Sequence, residues 1–332
     1  MPAATVCTLV TGATGFVGRR LLRRLAERPE LELHGLARRP PEDPLPGVEY
    51  HAADLTDSEG TFAELRPVVP RRVYHLAGMA NPADCAAQPQ VAYLSHVMGA
   101  QNLLLSLQGL DVRVVFASSA QVYGPQPPGP ISEEAQRRPT SVYGRAKRGA
   151  EAVFERVAGY RGWEVFERER RAFRVAVGHS PRPEGVEVVI ARPFNHSAAE
   201  QDPRYVLPGL AAEIRRALRE GGPVRTGNLH PRRDFLHVED VLDAYELLMD
   251  AGATGCAYNV CRGSAVSIGE VLEGLQRRLG AALPAEPDPA LVREDDPEEI
   301  TGDNHRLVEL GWSPRVSMDE LLDEVAGATG SP

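Results

Sequence analysis

Leu9-Val10-Thr11-Gly12-Ala13-Thr14-Gly15-Phe16-Val17-Gly18 passes in a few residues from an apolar run, through three glycines, into a helical pattern. Its setting makes it informative. Val6 to Val10 reads as a strand, and Phe16 to Glu27 carries apolar residues at three- and four-residue spacing, as an amphipathic helix does. Glycines at such a strand-to-helix turn allow a tight bend, close backbone approach to a pyrophosphate and close helix packing, while the helix N-terminus supplies N–H donors and a favourable dipole. The plain alternative is a Gly-rich turn with no ligand. Gly12, Thr14, Gly15, Phe16, Val17 and Gly18 are the first candidate cofactor contacts.

Outward from this turn the pattern repeats. Leu31 to Leu36, Arg72 to Leu76, Arg113 to Ser118 and Val186 to Arg192 are candidate strands, and Gln90 to Gln108 and Ser141 to Ala158 are candidate amphipathic helices between them. Such alternation implies an α/β fold, a Rossmann-type doubly wound parallel sheet. Beyond Pro193 the pattern loosens into loops, helices near Leu207 to Arg219, Val238 to Met249 and 267–279, and a strand around Tyr258 to Val260. We expect residues 1–192 to form the cofactor domain, its sheet completed by the strand near 258–260, and 193–330 a smaller interleaved substrate lobe. Pro40 to Pro46 and Pro125 to Pro130 read as loops. Tyr160 to Glu184, with its charged run Glu167 to Arg171, reads as a solvated helix and loop or as a lid or interface element.

The end of the second strand bears on the cofactor. NAD sites of this kind place an acid there for the ribose, but this chain has Ala37-Arg38-Arg39. Two guanidinium groups suit the 2'-phosphate of NADP, so NADP(H) is preferred and NAD remains possible. Two solvated arginines in an Arg-rich chain are the alternative. Asp54 and Leu55, past the Pro-rich loop that follows the second strand, are candidate adenine contacts, with a helix cap before Ser58 as the other reading of Asp54.

Ser118-Ser119-Ala120-Gln121 ends the strand Arg113 to Ser118, and Tyr143-Gly144-Arg145-Ala146-Lys147 lies on the next helix. Positions 143 and 147 stand one turn apart on one helical face. An ammonium there favours the phenolate, whose pKa is about 10 when unperturbed. Tyr143 can then exchange a proton with a substrate hydroxyl or ketone while Ser119 hydrogen-bonds the same oxygen. Lys147 is the only lysine against 36 arginines, which makes its place four residues after a tyrosine hard to ascribe to chance.

Composition narrows the rest. With 332 residues, 42% hydrophobic, 25% charged and 6% aromatic, the chain is that of a globular protein long enough for a large α/β domain and a smaller lobe. The net charge of −9 disfavours a nucleic-acid surface. No apolar run approaches the ~20 residues of a membrane span, and Met1 to Val10 lacks the layout of a signal peptide, so a cytoplasmic protein is expected. Cys7, Cys85, Cys256 and Cys261 show no CxxC pair or Cys/His cluster along the chain, which suggests neither disulfides nor a metal; Cys7 reads as a small buried residue.

The glycine turn and Tyr143-x-x-x-Lys147, together with Val73-Tyr74-His75-Leu76-Ala77-Gly78, Arg192-Pro193-Phe194-Asn195-His196, Gly227-Asn228-Leu229, Arg233-Asp234-Phe235 and Leu310-Gly311-Trp312-Ser313-Pro314, resemble the extended short-chain dehydrogenases over nearly the whole chain. That family comprises nucleotide-sugar epimerases, dehydratases, decarboxylases and ketoreductases. The phrases around Asn195 and Asn228 look most like its GDP-4-keto-6-deoxy-mannose reductase and GDP-mannose 4,6-dehydratase branch. The resemblance implies a nucleotide-sugar substrate held by Ser119, Gln121, Asn195, Arg233 and Arg293, and cofactor contacts from Leu76, Ala77, Gly78, Tyr143, Lys147 and Pro193. It also implies a homodimer in which Gln90 to Gln108 and Ser141 to Ala158 pair as a four-helix bundle, with Leu94, Leu103 and Val153 as apolar contributors.

Two departures stand out. Ala120 and Gln121 occupy the positions where the family's dehydratases carry an acid, and an amide cannot act as a general base. Reduction or epimerisation is then expected, with the nucleotide base left open. His96 stands where the family's helix usually has an Asn, and reads as a packed helix histidine.

Overall fold

The computed structural model describes residues 5–158, 185–292 and 296–327. Tyr160 to Glu184 and Arg293, both singled out above, lie outside the described residues. Six strands, β1 (Val6–Thr11), β2 (Leu31–Ala37), β3 (Val48–Ala52), β4 (Arg72–His75), β5 (Val112–Ala117) and β6 (Val186–Pro193), pair in the order β3-β2-β1-β4-β5-β6, each pair parallel. Ala257–Val260 adds a seventh strand beyond β6. This is the doubly wound order expected from the alternation, and its reversal point at β1 puts the glycine turn at the carboxyl ends of the strands.

The inner strands are legible because burial on both faces makes them nearly continuous apolar runs. The helix α1 (Phe16–Leu25) stops two residues before the expected Glu27 and turns Leu21, Leu22 and Leu25 inward. Gln90 to Gln108 is not one regular helix. It divides into α4 (Pro89–Tyr93), a π turn at Leu94–Met98 and α5 (Gly99–Ser106), preceded by α3 (Pro82–Ala87). The wider turn carries His96 inward, where it is buried as expected. Another helix, α2 (Ser58–Leu65), is capped by Asp57, whose side chain accepts from the Gly60 N–H. Asp54 is thus not the cap. Its carboxylate binds Thr56 instead.

The core of this sheet gathers Leu9, Leu36, Val73, Val114, Phe116, Val188 and Ile190 beneath Leu65, Leu103, Leu107 and Phe154. The Phe116 and Phe154 rings stack with centroids 4.5 Å apart. Each such side chain removed from water contributes about 1.5–3 kcal/mol. Leu103, expected at a dimer face, belongs to this core, and Val153 packs against it half-buried. Cys7 is half-buried rather than buried, its thiol donating to the Val68 carbonyl at 3.1 Å. No described helix is long and apolar enough to cross a membrane.

The chain forms two compact units: Met1–Gly124 with Arg137–Arg192 and Tyr245–Tyr258, and Pro125–Gln136 with Pro193–Ala244 and Asn259–Pro332. The second has its own core of Leu207, Ile214, Phe235, Leu275, Leu321 and Val325. Its helices Ile268–Arg278 and Met318–Val325 both open on a Ser/Glu capping box.

Candidate active site

Within the first unit the glycine turn is shaped by what a side chain would strike. Gly12 has φ of 71°, and a Cβ there would stand 2.9 Å from the Ala77 nitrogen. A Cβ on Gly18 would stand 2.2 Å from the Gly12 carbonyl oxygen. Gly15 caps α1 with no side-chain bond, and no acidic residue stands in the first turn, so the first N–H groups and the helix dipole are available to an anion. This open, side-chain-free cradle fits a dinucleotide pyrophosphate. Thr11 Oγ1 lies 2.8 Å from His75 Nδ1 and accepts from Ala77 N at 3.2 Å, fixing the Leu76 to Gly78 loop beside the turn.

Ala37 ends β2 with no acid, and Arg38 and Arg39 follow it exposed, with no hydrogen bond or ion pair among the described residues. Thr14 is also exposed, with Phe16 and Val17 half-buried. Asp54 is exposed, whereas the Leu55 side chain is buried in the core and its carbonyl accepts from Asn102.

Ser119 follows β5 after Ser118 and opens a 3₁₀ turn, Ala120–Val122, against which α6 (Val142–Ala158) packs. The approach is close: a Cβ on Gly144 would stand 2.5 Å from the Gln121 carbonyl oxygen. Ser141 Oγ accepts from Gly144 N at 3.0 Å and donates to Gln121 Oε1 at 2.9 Å. Gln121 is therefore tied to the start of the helix that carries Tyr143. Ser119 Oγ accepts from Gln121 N at 3.2 Å, which leaves its O–H free to donate.

Lys147 lies one turn beyond Tyr143 and is buried, its ammonium donating to the Ala117 carbonyl at 2.7 Å. Burial brings its pKa down to about 8, with Cys85 and Glu151 opposing the shift. His96 presses edge-on to the Tyr143 ring, centroids 5.8 Å apart, and its Nε2 lies 3.0 Å from the Met79 carbonyl. Burial, then Lys147, lowers its pKa to about 3, so it is a neutral imidazole. It also explains Gly78: a Cβ there would stand 2.3 Å from the His96 ring.

Sequence reasoning missed the layer beneath. Glu151, one further turn along α6, is fully buried and binds Arg192 Nε at 2.8 Å, Ser118 Oγ at 2.6 Å and Arg137 Nη1 at 2.7 Å. Arg192 also donates to the Tyr123 hydroxyl at 3.0 Å. Burial alone would raise the Glu151 pKa, but the Arg192 guanidinium overrides it and holds the carboxyl well below its usual range. The spacing Lys147, Glu151, Glu155 was the available signal.

In the second unit, Asn195 Nδ2 donates to the Asp234 carbonyl at 3.3 Å, and Arg233 binds the Pro297 carbonyl at 2.9 Å and the Asp296 carboxylate. Pro193, at the end of β6, is buried. Asp234 itself accepts from the N–H groups of Arg262 and Gly263, and burial raises its pKa to about 6.

Residues 8–261 match the NAD dependent epimerase/dehydratase family. A GDP-6-deoxy-D-mannose reductase from Pseudomonas aeruginosa is 30% identical, over 94% of this chain and 93% of its own length. A UDP-glucose 4-epimerase from Streptococcus mutans is 26% identical, over 96% and 95%. The solved structure of RMD from Pseudomonas aeruginosa complexed with NADPH superposes with a TM-score of 0.76 at 27% identity, over 97% of this chain and 98% of that one.

Proposed function

The chain belongs to the NAD dependent epimerase/dehydratase family, and on that premise we propose that it reduces the 4-keto group of a nucleotide sugar, GDP-4-keto-6-deoxyhexose-like, using NADPH. The observation that carries this reading is the end of β2, where no acid awaits a ribose and Arg38 and Arg39 stand unpaired. Paired guanidinium groups recognise a 2'-phosphate, and a freely exchanging reductant suits NADPH. The similarity to a GDP-6-deoxy-D-mannose reductase points the same way.

When bound, NADPH supplies the hydride that reaches C4. Gly12, Gly15 and Gly18 with the start of α1 hold the pyrophosphate, and Leu76, Ala77 and Gly78 line the dinucleotide beside them. Tyr143 gives its phenolic proton to the C4 oxygen, so ketone, hydride and proton balance to a secondary alcohol. Ser119 donates a hydrogen bond to the same oxygen, and Lys147 holds a positive charge near the phenol as it loses its proton. Gln121 supplies no base, which argues against 4,6-dehydration. The nucleotide is assigned to Asn195, Arg233 and Arg293, and the second unit to substrate binding.

A second reading, a nucleotide-sugar 4-epimerase of the UDP-hexose or UDP-hexuronate type with bound NAD(P), is favoured by the likeness to a UDP-glucose 4-epimerase over nearly the whole chain. Following NADPH absorbance with GDP-4-keto-6-deoxy-mannose separates the two. Stoichiometric loss of NADPH is expected. Interconversion of UDP-sugars with no net cofactor change would favour epimerisation instead.

A further inference from the structure

The register of β2 and β3 brings together residues far apart in the chain. His34 lies opposite Glu49, and His51 stands two residues further along the same face. His34 Nδ1 and His51 Nε2 are 2.9 Å apart, and Glu49 carboxylate oxygens lie 3.9 Å from the first and 4.0 Å from the second. Both imidazoles are more than nine-tenths buried, whereas Glu49 is exposed. His51 Nδ1 is 3.2 Å from a Glu64 oxygen on α2.

Proton accounting singles out the pair. Glu64 fixes a proton on His51 Nδ1, so His51 Nε2 presents a lone pair. His34 Nδ1 is then the donor of the 2.9 Å contact, which in the neutral ring leaves a lone pair on His34 Nε2. That nitrogen is buried, has no hydrogen bond among the described residues, and faces a Glu32 oxygen at 3.5 Å. In that neutral ring a lone pair faces a carboxylate, an unfavourable arrangement for a buried nitrogen with no hydrogen bond.

We propose that His34 Nδ1, His51 Nε2 and a Glu49 oxygen form a binding site for a borderline divalent metal ion of the zinc class. A cation there takes both ring lone pairs. His34 changes tautomer, its proton moving from Nδ1 to Nε2, where it points at Glu32, so the orphan is satisfied with no net proton released. Glu64 on His51 Nδ1 is the second carboxylate that metal-bound imidazoles ordinarily have. Zinc–nitrogen bonds of about 2.0–2.1 Å put ligand atoms in a tetrahedral site about 3.3 Å apart, so the two nitrogens need open only slightly and the exposed Glu49 side chain swing inward. Two imidazoles and a carboxylate select zinc, cobalt or nickel over calcium or magnesium. Cys7, though near His34 and Glu32, is outside the set because its thiol donates to Val68. The site ties the edge strand β3 to β2, whose end carries Arg38 and Arg39.

Protein stripped with a chelator and titrated with Zn²⁺, and with Co²⁺ followed by visible absorption, tests this. One equivalent is expected to bind, with the absorption of a four-coordinate Co²⁺ ion and a rise in Tm. Glu49→Gln, at an exposed position, should weaken binding at least tenfold, and His34→Gln/His51→Gln should abolish it, with far-UV circular dichroism checking the fold. His305→Gln removes an exposed histidine 3.1 Å from Glu309 and should change nothing. Binding weaker than micromolar in the wild-type protein, or binding unmoved by Glu49→Gln, would overturn the assignment even if the double variant fails to fold.

Discussion

At the scale of single residues, Lys147 shows how far burial alters a side chain. Its ammonium is kept in a site that brings its pKa down to about 8, whereas every other basic side chain of the Lys/Arg type is an arginine that stays charged throughout. Below that value the ammonium is present; above it the charge beside Tyr143 is lost. The pH profile of kcat/KM, which reports free-enzyme groups, is therefore expected to fall on its alkaline side near pH 8. Lys147→Arg should lower kcat/KM at least tenfold, because a planar fork does not fit a buried site built for a compact ammonium. A flat profile through pH 9 would count against Lys147 as the titrating group. The paired arginines make a second prediction. Arg38→Ala/Arg39→Ala should erase a preference for NADPH over NADH of at least about tenfold, roughly 1.4 kcal/mol, in cofactor titrations. An unchanged ratio would mean that these are ordinary surface arginines.

At the scale of elements, what the sequence made legible followed from burial. The strands β1, β5 and β6 are largely apolar runs, and Ser119, Tyr143 and Lys147 sit on or just past elements whose ends were readable. By contrast, β3 is an edge strand written Val-Glu-Tyr-His-Ala, with polar residues on the face that meets His34. The π turn was hidden because one residue more in a helical turn leaves the apolar spacing nearly unchanged. A buried charge such as Glu151 looks the same in a sequence as a solvated one, and the meeting of His34 with His51 is made by strand register. The Glu151 network is where α6 is most exposed to damage. Glu151→Gln keeps the volume but strands the fully buried Arg192 guanidinium, and breaking one partner of a buried pair costs about 3–5 kcal/mol. We expect a fall in Tm of roughly 5 °C by circular dichroism; a variant melting with the wild type would show that water or rearrangement replaces the carboxylate.

At the scale of the whole molecule, the surface of α4, the π turn and α5 remains to be accounted for. Packing within one subunit takes up Ala100, Leu103 and Leu104 on its inner side. It leaves Val91, Leu94, Met98 and Leu105 exposed, spaced three, four and seven residues apart, with Tyr93 beside them. Scattered exposed apolar residues need no explanation, whereas a stripe along one helical stretch is what an interaction surface would present. A second copy of the chain is the expected partner, since a two-fold contact pairs the same patch with itself. Light scattering at micromolar concentration should give twice the chain mass. Leu94→Asp/Met98→Asp places two charges in that interface and none in the core, so it should yield a monomer with unchanged circular dichroism. A wild-type monomer, or a dimer indifferent to both substitutions, would show that this stripe is not where the copies meet.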